Sequence, residues 1–304
     1  MTLPKHILIV FLDGVGLGDD TEANPFLKYP PQFLTGLFDG NLILKKNQGY
    51  QNQQATLLGL DANLGVAGLP QSGTGQTAIL TGLNAPALLG KHDGPYPNKF
   101  LRELLAKKTF FSELVARGKK VAYGGAYPDS FHNRLSRGKG RLSANTRAAY
   151  LAGLKLRGLD DLIAGQAISG MLTNHYWRNW GYDVPLLSAV EAGQQLVSLA
   201  ESYDLTYFEF WYTDAVGHKQ DYGQAQDVLT LLDDFFAGIA HTLDPANMLF
   251  LVISDHGNFE DLGTKHHTAN LALAIAIGWQ HQRALKQLKS TADIASFVLS
   301  QLTD

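Results

Sequence analysis

The chain has no cysteine among its 304 residues. This absence excludes disulfide bridges, zinc sites built from thiolates, and cysteine nucleophiles. It suits a reducing compartment, and we expect a cytoplasmic location. Long apolar runs are also missing, because none approaches the roughly 18 residues that cross a membrane, so no membrane partner is expected. The N-terminal apolar run, residues 7–12, is too short for a signal peptide and ends on Asp13.

The chain also lacks an excess of charge of either sign. Its net charge is −3, and charged residues make up 17% of the sequence. No nucleic-acid partner is therefore expected. The densest basic stretch, residues 134–147, is either a solvated surface or a rim that steers anions toward a site. Nothing in the composition indicates an oligomeric state.

Length and hydrophobic content are those of a globular protein. The 304 residues, 45% of them hydrophobic, fit one domain over 1–304, with room for a small insertion. A chain of this length buries roughly three quarters of its unfolded surface and needs no structural metal. Any metal that it binds is therefore expected to be catalytic.

Apolar runs alternate with helical segments, which is typical of an α/β fold. We predict a mostly parallel central sheet flanked by helices on both faces. Residues of about 128–187 are rich in Gly, Arg and aromatic side chains, and we predict that they form a small cap-like insertion over one face. The predicted strands are 6–12, 120–123, 205–211, 248–253 and 271–277, and the predicted helices are 77–83, 110–117, 190–203, 225–243 and 290–302.

Acidic residues or histidines stand where several predicted strands end. Asp13 follows the first strand, Asp214 follows the third, and Asp255 and His256 follow the fourth. In parallel sheets the carboxyl ends of the strands meet at one edge, where ligand sites form. A lone Asp after a strand is more often a helix cap or turn residue. Four such coincidences at strand ends and loops, His266-His267 included, are hard to explain by structure alone.

Two further segments supply candidate ligands. Asp214 and His218 are four residues apart and would share one face of a helix, although Gly217 between them favours a turn or a loose helix. His266 and His267 are adjacent, and either a surface pair or a ligand would fit. Carboxylate oxygens and imidazole nitrogens suit zinc or manganese, with magnesium as a third candidate. Two such ions about 4 Å apart can clamp a phosphoryl group during displacement.

The candidate nucleophile is Ser72, in a Gly-rich turn that precedes a predicted helix. Near a helix N-terminus, free amide groups and the helix dipole favour an anion. Ser72 could equally be a helix N-cap, and Thr74 is a competing hydroxyl. Beside a two-metal cluster, the nucleophile is the better interpretation of Ser72.

Together these motifs resemble the alkaline phosphatase superfamily of metalloenzymes, nearest the branch of cofactor-independent phosphoglycerate mutase and phosphopentomutase. The resemblance implies an alkaline phosphatase-like fold and a phospho-enzyme intermediate on Ser72. It also implies one metal bound by Asp13, Ser72, Asp255 and His256, and another bound by Asp214, His218 and His267. His267 is preferred over His266 because the family pattern is a histidine directly followed by Thr. The matching segments are FLDGVG at 11–16, QSGTGQ at 71–76, TDAVGH at 213–218, SDHGN at 254–258 and HHTAN at 266–270.

Two features separate the chain from these mutases. Gln76 stands where they carry a histidine, and the insertion is smaller than their second domains. We therefore predict a two-metal-dependent hydrolase of phosphate esters, a phosphatase or phosphodiesterase, that acts on a small anionic phosphate ester. The alternative is a phosphomutase that returns the phosphate to another oxygen of the same substrate. The third hypothesis is a non-catalytic metal- or anion-binding module.

Overall fold

The computed structural model describes residues 5–303 and is built around a six-stranded sheet. The strands lie in the order β2-β8-β7-β1-β6-β3, and within the described residues only β8 runs antiparallel to its neighbours. This mostly parallel α/β sheet confirms the predicted fold class. The strands are β1 (His6–Leu12), β2 (Ala55–Leu60), β3 (Val121–Tyr123), β6 (Leu205–Phe210), β7 (Met248–Ser254) and β8 (Ala272–Gly278), and the short strands β4 (Gly125–Ala126) and β5 (Ile168–Ser169) pair separately.

The central strand β1 is buried on both faces, as a continuous apolar run predicts. Ile7 and Ile9 pack into one hydrophobic cluster, and Leu8 and Val10 pack into another on the opposite face. In the parallel register, Ile9 lies opposite Tyr207 of β6 and Leu251 of β7. The carboxyl ends of β7, β1 and β6 therefore lie side by side.

Helices cover both faces of the sheet. Helices α11 and α13 complete the cluster around Leu8, and α3, α6 and α15 complete the one around Ile9. None of the helices in residues 5–303 is long and apolar enough to cross a membrane. The helices are α1 (Pro25–Lys28), α2 (Gln32–Leu37), α3 (Ser72–Thr81), α4 (Ala85–Leu89), α5 (Lys99–Lys107), α6 (Phe110–Ala116), α7 (Asp129–Ser136), α8 (Ala144–Leu151), α9 (Leu159–Ile163), α10 (His175–Asn179), α11 (Ala189–Ala200), α12 (Tyr212–Lys219), α13 (Tyr222–Thr242), α14 (Gln282–Gln287) and α15 (Asp293–Thr303).

Most predicted elements match observed ones within a few residues. Two differ: one helix in its first residue and one strand in its direction. Helix α3 begins at Ser72, five residues before the predicted start, and ends at Thr81. The glycines of the QSGTGQ segment thus belong to the helix instead of to a preceding turn. The predicted strand 271–277 exists as β8 but runs antiparallel between β2 and β7.

The segment predicted as an insertion has a small apolar cluster of its own. This cluster contains Leu162, Trp177 and Val184 and lies beside the β4–β5 pair. Helix α8, which falls within the same sequence range, packs instead through Ala144 and Ala148 into the main core. The role of the segment as a cap remains a prediction.

Candidate metal centre

The structure brings together the side chains that follow three neighbouring strands. Asp13 follows β1, Asp255 follows β7, and Asp214 lies in the first turn of α12 after β6. Since these strands are adjacent and parallel, their carboxyl ends open at one edge of the sheet, where ligand sites form in such folds.

One group of potential ligands consists of Asp13, Asp255 and His256, whose ligand atoms all lie within 4.8 Å of one another. His256 Nε2 is 3.4 Å from Asp13 Oδ1 and 3.6 Å from Asp255 Oδ2. Ser72 Oγ joins this group, 3.0 Å from His256 Nε2 and 3.5 Å from Asp13 Oδ1. Asp255 and His256 are completely buried.

The second group consists of Asp214, His218 and His267, which meet the same 4.8 Å limit. Carboxylate oxygens of Asp214 lie 3.2 Å from His218 Nε2 and 3.6 Å from His267 Nε2. Both rings are oriented through Nδ1, which lies 2.8 Å from the carbonyl oxygen of Lys265 for His218 and 2.7 Å from that of Pro70 for His267. Both Nε2 atoms are thereby presented to the carboxylate, as is usual for metal-binding histidines. His266 is exposed and belongs to neither group.

The two groups are in contact with each other. The rings of His256 and His267 stack with centroids 3.9 Å apart and planes inclined by 15°. Gly14, with φ of +69°, passes so close to the second group that a Cβ added there would lie 2.5 Å from Asp214 Oδ1. The six potential ligands therefore form one continuous cluster.

The electrostatics of the cluster favour positive charge. Burial raises the pKa of Asp255 well above its ordinary value, and the neighbouring Asp13 raises it further. Burial favours the neutral form of His256, yet the carboxylates of Asp255 and Asp13 raise its pKa to about 10. Burial and the charge of His256 lower the pKa of His267 to about 4. The carboxylates thus stabilise a cation in their midst, while His267 stays neutral, the form in which imidazole binds metals.

The chemistry of the donors fits divalent metal ions. Asp255 Oδ2 is buried and has no hydrogen-bond partner among the described residues. A buried carboxylate oxygen of this kind is costly unless a cation offsets its charge. Mixed carboxylate and imidazole donors, without thiolates, suit zinc or manganese.

The structure distinguishes the two hydroxyls of the QSGTGQ segment. Ser72 is the first residue of α3, Gln71 is its N-cap, and the Ser72 hydroxyl faces the first group. The N-cap alternative for Ser72 is therefore wrong. Thr74 is completely buried, and its hydroxyl donates to the carbonyl oxygen of Gln71 at 3.1 Å, away from the carboxylates.

The segment that carries Asp214 and His218 is the helix α12, so of the two alternatives that Gly217 left open, a turn or a loose helix, the turn is wrong. Gly217 lies within α12, and because it has no side chain the helix can approach Asn258 closely. A Cβ added to Gly217 would lie 2.5 Å from Asn258 Oδ1. Asn258 Nδ2 in turn donates to Asp214 Oδ1 at 2.8 Å. The glycine therefore serves packing beside the site.

Glu260 is a buried residue of the site that none of the sequence motifs contains. Its carboxylate accepts hydrogen bonds from the backbone N–H groups of Gly16 and Asn258, both at 2.8 Å. It also accepts from Thr268 Oγ1 at 2.5 Å and Asn270 Nδ2 at 3.1 Å. Glu260 thereby ties together the loops that follow β1 and β7 and the loop that carries His267. No local sequence pattern indicates this role.

A cavity of about 440 Å³ opens onto the cluster. Ser72, Asp13, Asp214 and His218 form one wall, and Arg141 from the basic stretch lies on its lining. The Arg141 guanidinium stands 5.9 Å from the centre of the Tyr96 ring. One residue of the basic stretch is therefore placed where an anionic ligand would meet it.

Comparisons with known proteins place the chain in a family and support its fold. A family model described as the metalloenzyme superfamily matches residues 5–303. The chain is 30% identical over 128 residues to the 2,3-bisphosphoglycerate-independent phosphoglycerate mutases of Coxiella burnetii (strain RSA 493 / Nine Mile phase I) and Yersinia pestis (strain Pestoides F). The match covers 39% of this chain and 24% and 25% of those proteins, so it spans about a quarter of the length of these relatives.

Two solved structures share the fold over almost the whole chain. The PH0037 protein of Pyrococcus horikoshii has a TM-score of 0.58 and 11% identity, with 99% of this chain and 98% of that chain covered. The alkaline phosphatase of the Antarctic bacterium TAB5 has a TM-score of 0.52 and 12% identity, with the same coverage. At such identities the likeness concerns the fold alone.

Proposed function

Because the chain belongs to the metalloenzyme superfamily, we propose that it is a two-metal-dependent hydrolase of phosphate esters with Ser72 as its nucleophile. The observation that carries the proposal is the position of Ser72 Oγ, 3.0 Å from His256 Nε2 and 3.5 Å from Asp13 Oδ1, at the start of a buried helix. A hydroxyl held among metal-ligand side chains at a helix N-terminus is suited to attack an anionic phosphoryl group.

The proposed ligand sets are the two groups of the cluster. Asp13, Ser72, Asp255 and His256 would hold one ion, and Asp214, His218 and His267 would hold the other. Zinc or manganese suits these donors, with magnesium as a third candidate. When bound, the ions would lower the pKa of the Ser72 hydroxyl and offset the charge of the phosphoryl oxygens.

The proposed reaction has two displacements on phosphorus. Ser72 Oγ loses its proton to solvent and forms a bond to phosphorus as the bond to the leaving oxygen breaks, and the leaving oxygen takes a proton from solvent. Water then attacks phosphorus and loses a proton to solvent, the Oγ–P bond breaks, Ser72 Oγ takes a proton from solvent, and phosphate leaves. The dipole and free N–H groups at the start of α3 favour the anion throughout. Arg141 on the lining of the cavity would attract the substrate.

Phosphomutase activity is the second candidate, and the two curated relatives favour it. A mutase must keep water from the phospho-enzyme. The His218 side chain is 45% exposed, which leaves the His218 side of the second ligand group open to solvent. This openness supports hydrolysis over phosphate return.

The test is an assay of purified, metal-stripped protein on a panel of phosphomonoesters and phosphodiesters, with manganese, zinc or magnesium added back. Metal-dependent phosphate release that Ser72→Ala abolishes supports the hydrolase. Ser296→Ala, at an exposed serine of α15 that donates to its own helix, is the matched control and retains activity. A positional isomer formed without phosphate release would identify a mutase. Metal binding with neither product would identify a binding module.

A further inference from the structure

A second, smaller cavity continues from the one at the metal centre. It has a volume of about 160 Å³, and Tyr127, Glu209 and Trp211 line both cavities. Its far wall comes from the segment predicted as an insertion, through Tyr176, Trp177 and Trp180 of the α10 region. A ligand bound at the metal centre could therefore extend into it.

This second cavity is lined by aromatic rings with large exposed faces. Trp180 is 58% exposed, Trp211 is 50% exposed and Tyr176 is 45% exposed. Scattered exposed apolar residues are ordinary, but a cluster of them around one concave surface marks a binding site. Indole and phenol rings stack on flat aromatic ligands, and such stacking tolerates many ring structures.

Glu209 lies at the junction of the two cavities, and its carboxylate already accepts several hydrogen bonds. Its Oε2 accepts from the Tyr123 hydroxyl at 2.5 Å and from Ser143 Oγ at 3.3 Å. Its Oε1 accepts from Asn145 Nδ2 at 3.2 Å, which leaves that oxygen able to accept another hydrogen bond. Burial raises the pKa of Glu209. The carboxyl group suits a hydroxyl donor better than a positively charged group, because its existing donors offset its charge.

We infer that the aromatic cavity binds the base of a nucleoside phosphate, whose phosphate lies at Ser72 and whose sugar hydroxyls lie beside Glu209. This inference rests on the proposed phosphatase activity and names its substrate class. The surfaces follow one another in the same order as the parts of a nucleoside phosphate. Ser72 and Arg141 would meet the phosphate, Glu209 at the junction would accept from the sugar hydroxyls, and the aromatic rings would stack on the base. A quaternary ammonium group is the competing occupant of an aromatic cavity.

The kinetic test uses adenosine 5′-monophosphate and ribose 5-phosphate, which share the same leaving oxygen and differ in the base. We expect kcat/KM to be higher for the nucleotide. Trp180→Ala should lower kcat/KM for the nucleotide roughly 5- to 100-fold, the usual effect of losing one stacking ring, and leave ribose 5-phosphate unchanged. Tyr150→Ala is the control, because Tyr150 is 52% exposed but lines neither cavity.

A binding measurement separates failure of this inference from failure of the proposed activity. Trp177, Trp180 and Trp211, three of the four tryptophans, line the aromatic cavity. Adenosine, which has no phosphate, should quench tryptophan fluorescence saturably in the wild type and in Tyr150→Ala, and in Trp180→Ala the adenosine concentration for half-maximal quenching should rise roughly 5- to 100-fold. Saturable quenching without turnover of any ester would refute the proposed phosphatase activity but would still support binding of a nucleobase in the aromatic cavity.

Three outcomes would overturn the inference. The first is equal kcat/KM for the two esters together with no quenching by adenosine. The second is an equal loss on both esters in Trp180→Ala. The third is a preference for phosphocholine that Trp180→Ala removes, which would assign the cavity to an ammonium group.

Discussion

Substitution of Gly217 by alanine tests whether the contact between α12 and Asn258 holds the second ligand group in place. The added Cβ would lie 2.5 Å from Asn258 Oδ1 and 2.8 Å from its Cγ, well inside ordinary contact distance. Asn258 is completely buried and cannot move into solvent. It would have to shift away from Asp214, to which it donates a hydrogen bond at 2.8 Å.

The expected loss of stability follows from three effects. Overpacking a buried site costs about 1–3 kcal/mol. Loss of a hydrogen bond to a charged group costs about 1.5–3 kcal/mol. The higher helix propensity of alanine returns about 1 kcal/mol. We therefore expect Gly217→Ala to lower the free energy of unfolding by about 1.5–5 kcal/mol.

Urea denaturation in the presence of a chelator measures this effect without contribution from metal binding. With an m-value of about 3 kcal/mol per M, the midpoint should fall by about 1 M. Gly36→Ala is the matched control, because Gly36 also lies in a helix and a Cβ there would have no neighbour within 4 Å. It should raise stability by up to about 1 kcal/mol. A Gly217→Ala midpoint equal to or above that of the wild type would show that the contact between α12 and Asn258 does not hold the second ligand group in place.

Three further substitutions address other parts of the site. His267→Ala should lower the metal content, measured by mass spectrometry after dialysis, by one ion per chain, whereas the exposed His266→Ala should keep both ions; equal loss in the two would contradict the ligand assignment. Thr74→Val should keep metal-dependent phosphate release, because the Thr74 hydroxyl bonds to the Gln71 carbonyl; abolished release would make Thr74 the nucleophile. Glu260→Gln should lower the free energy of unfolding by about 2–5 kcal/mol in urea, since an amide –NH₂ would face two donors; an unchanged midpoint would contradict this.

Much of the fold could be predicted because the central strands are buried on both faces. Residues 6–12 and 248–253 are continuous apolar runs, and they form β1 and most of β7. The family match over residues 5–303 confirms the superfamily resemblance that the motifs indicated. Strand β2 was not predicted, because Gly59 lies within it and a polar stretch precedes it. The start of α3 was missed because Gly73 and Gly75 lower local helix propensity, which packing overrides.

The candidate ligands could be chosen from sequence because their positions follow from the strand ends. Asp13, Asp214 and Asp255 follow three strands that lie next to one another in the sheet, although their metal-binding role stays a prediction. Glu260 could not be chosen from the sequence, because one of its hydrogen-bond donors, Gly16, is more than 240 residues away from it along the chain and meets it only in the fold. The aromatic cavity was equally inaccessible, because it forms between the insertion segment and the end of β6.

The proposed hydrolase reaction requires Ser72 to carry the phosphoryl group during turnover. The most direct test is to quench the manganese- or zinc-loaded enzyme with acid during turnover of a phosphate ester and to map phosphorylation by peptide mass spectrometry. We expect a phosphoryl group on Ser72 that is absent from metal-stripped protein and from Ser72→Ala. Turnover without any phosphorylated peptide, or with the phosphoryl group on another residue, would contradict it.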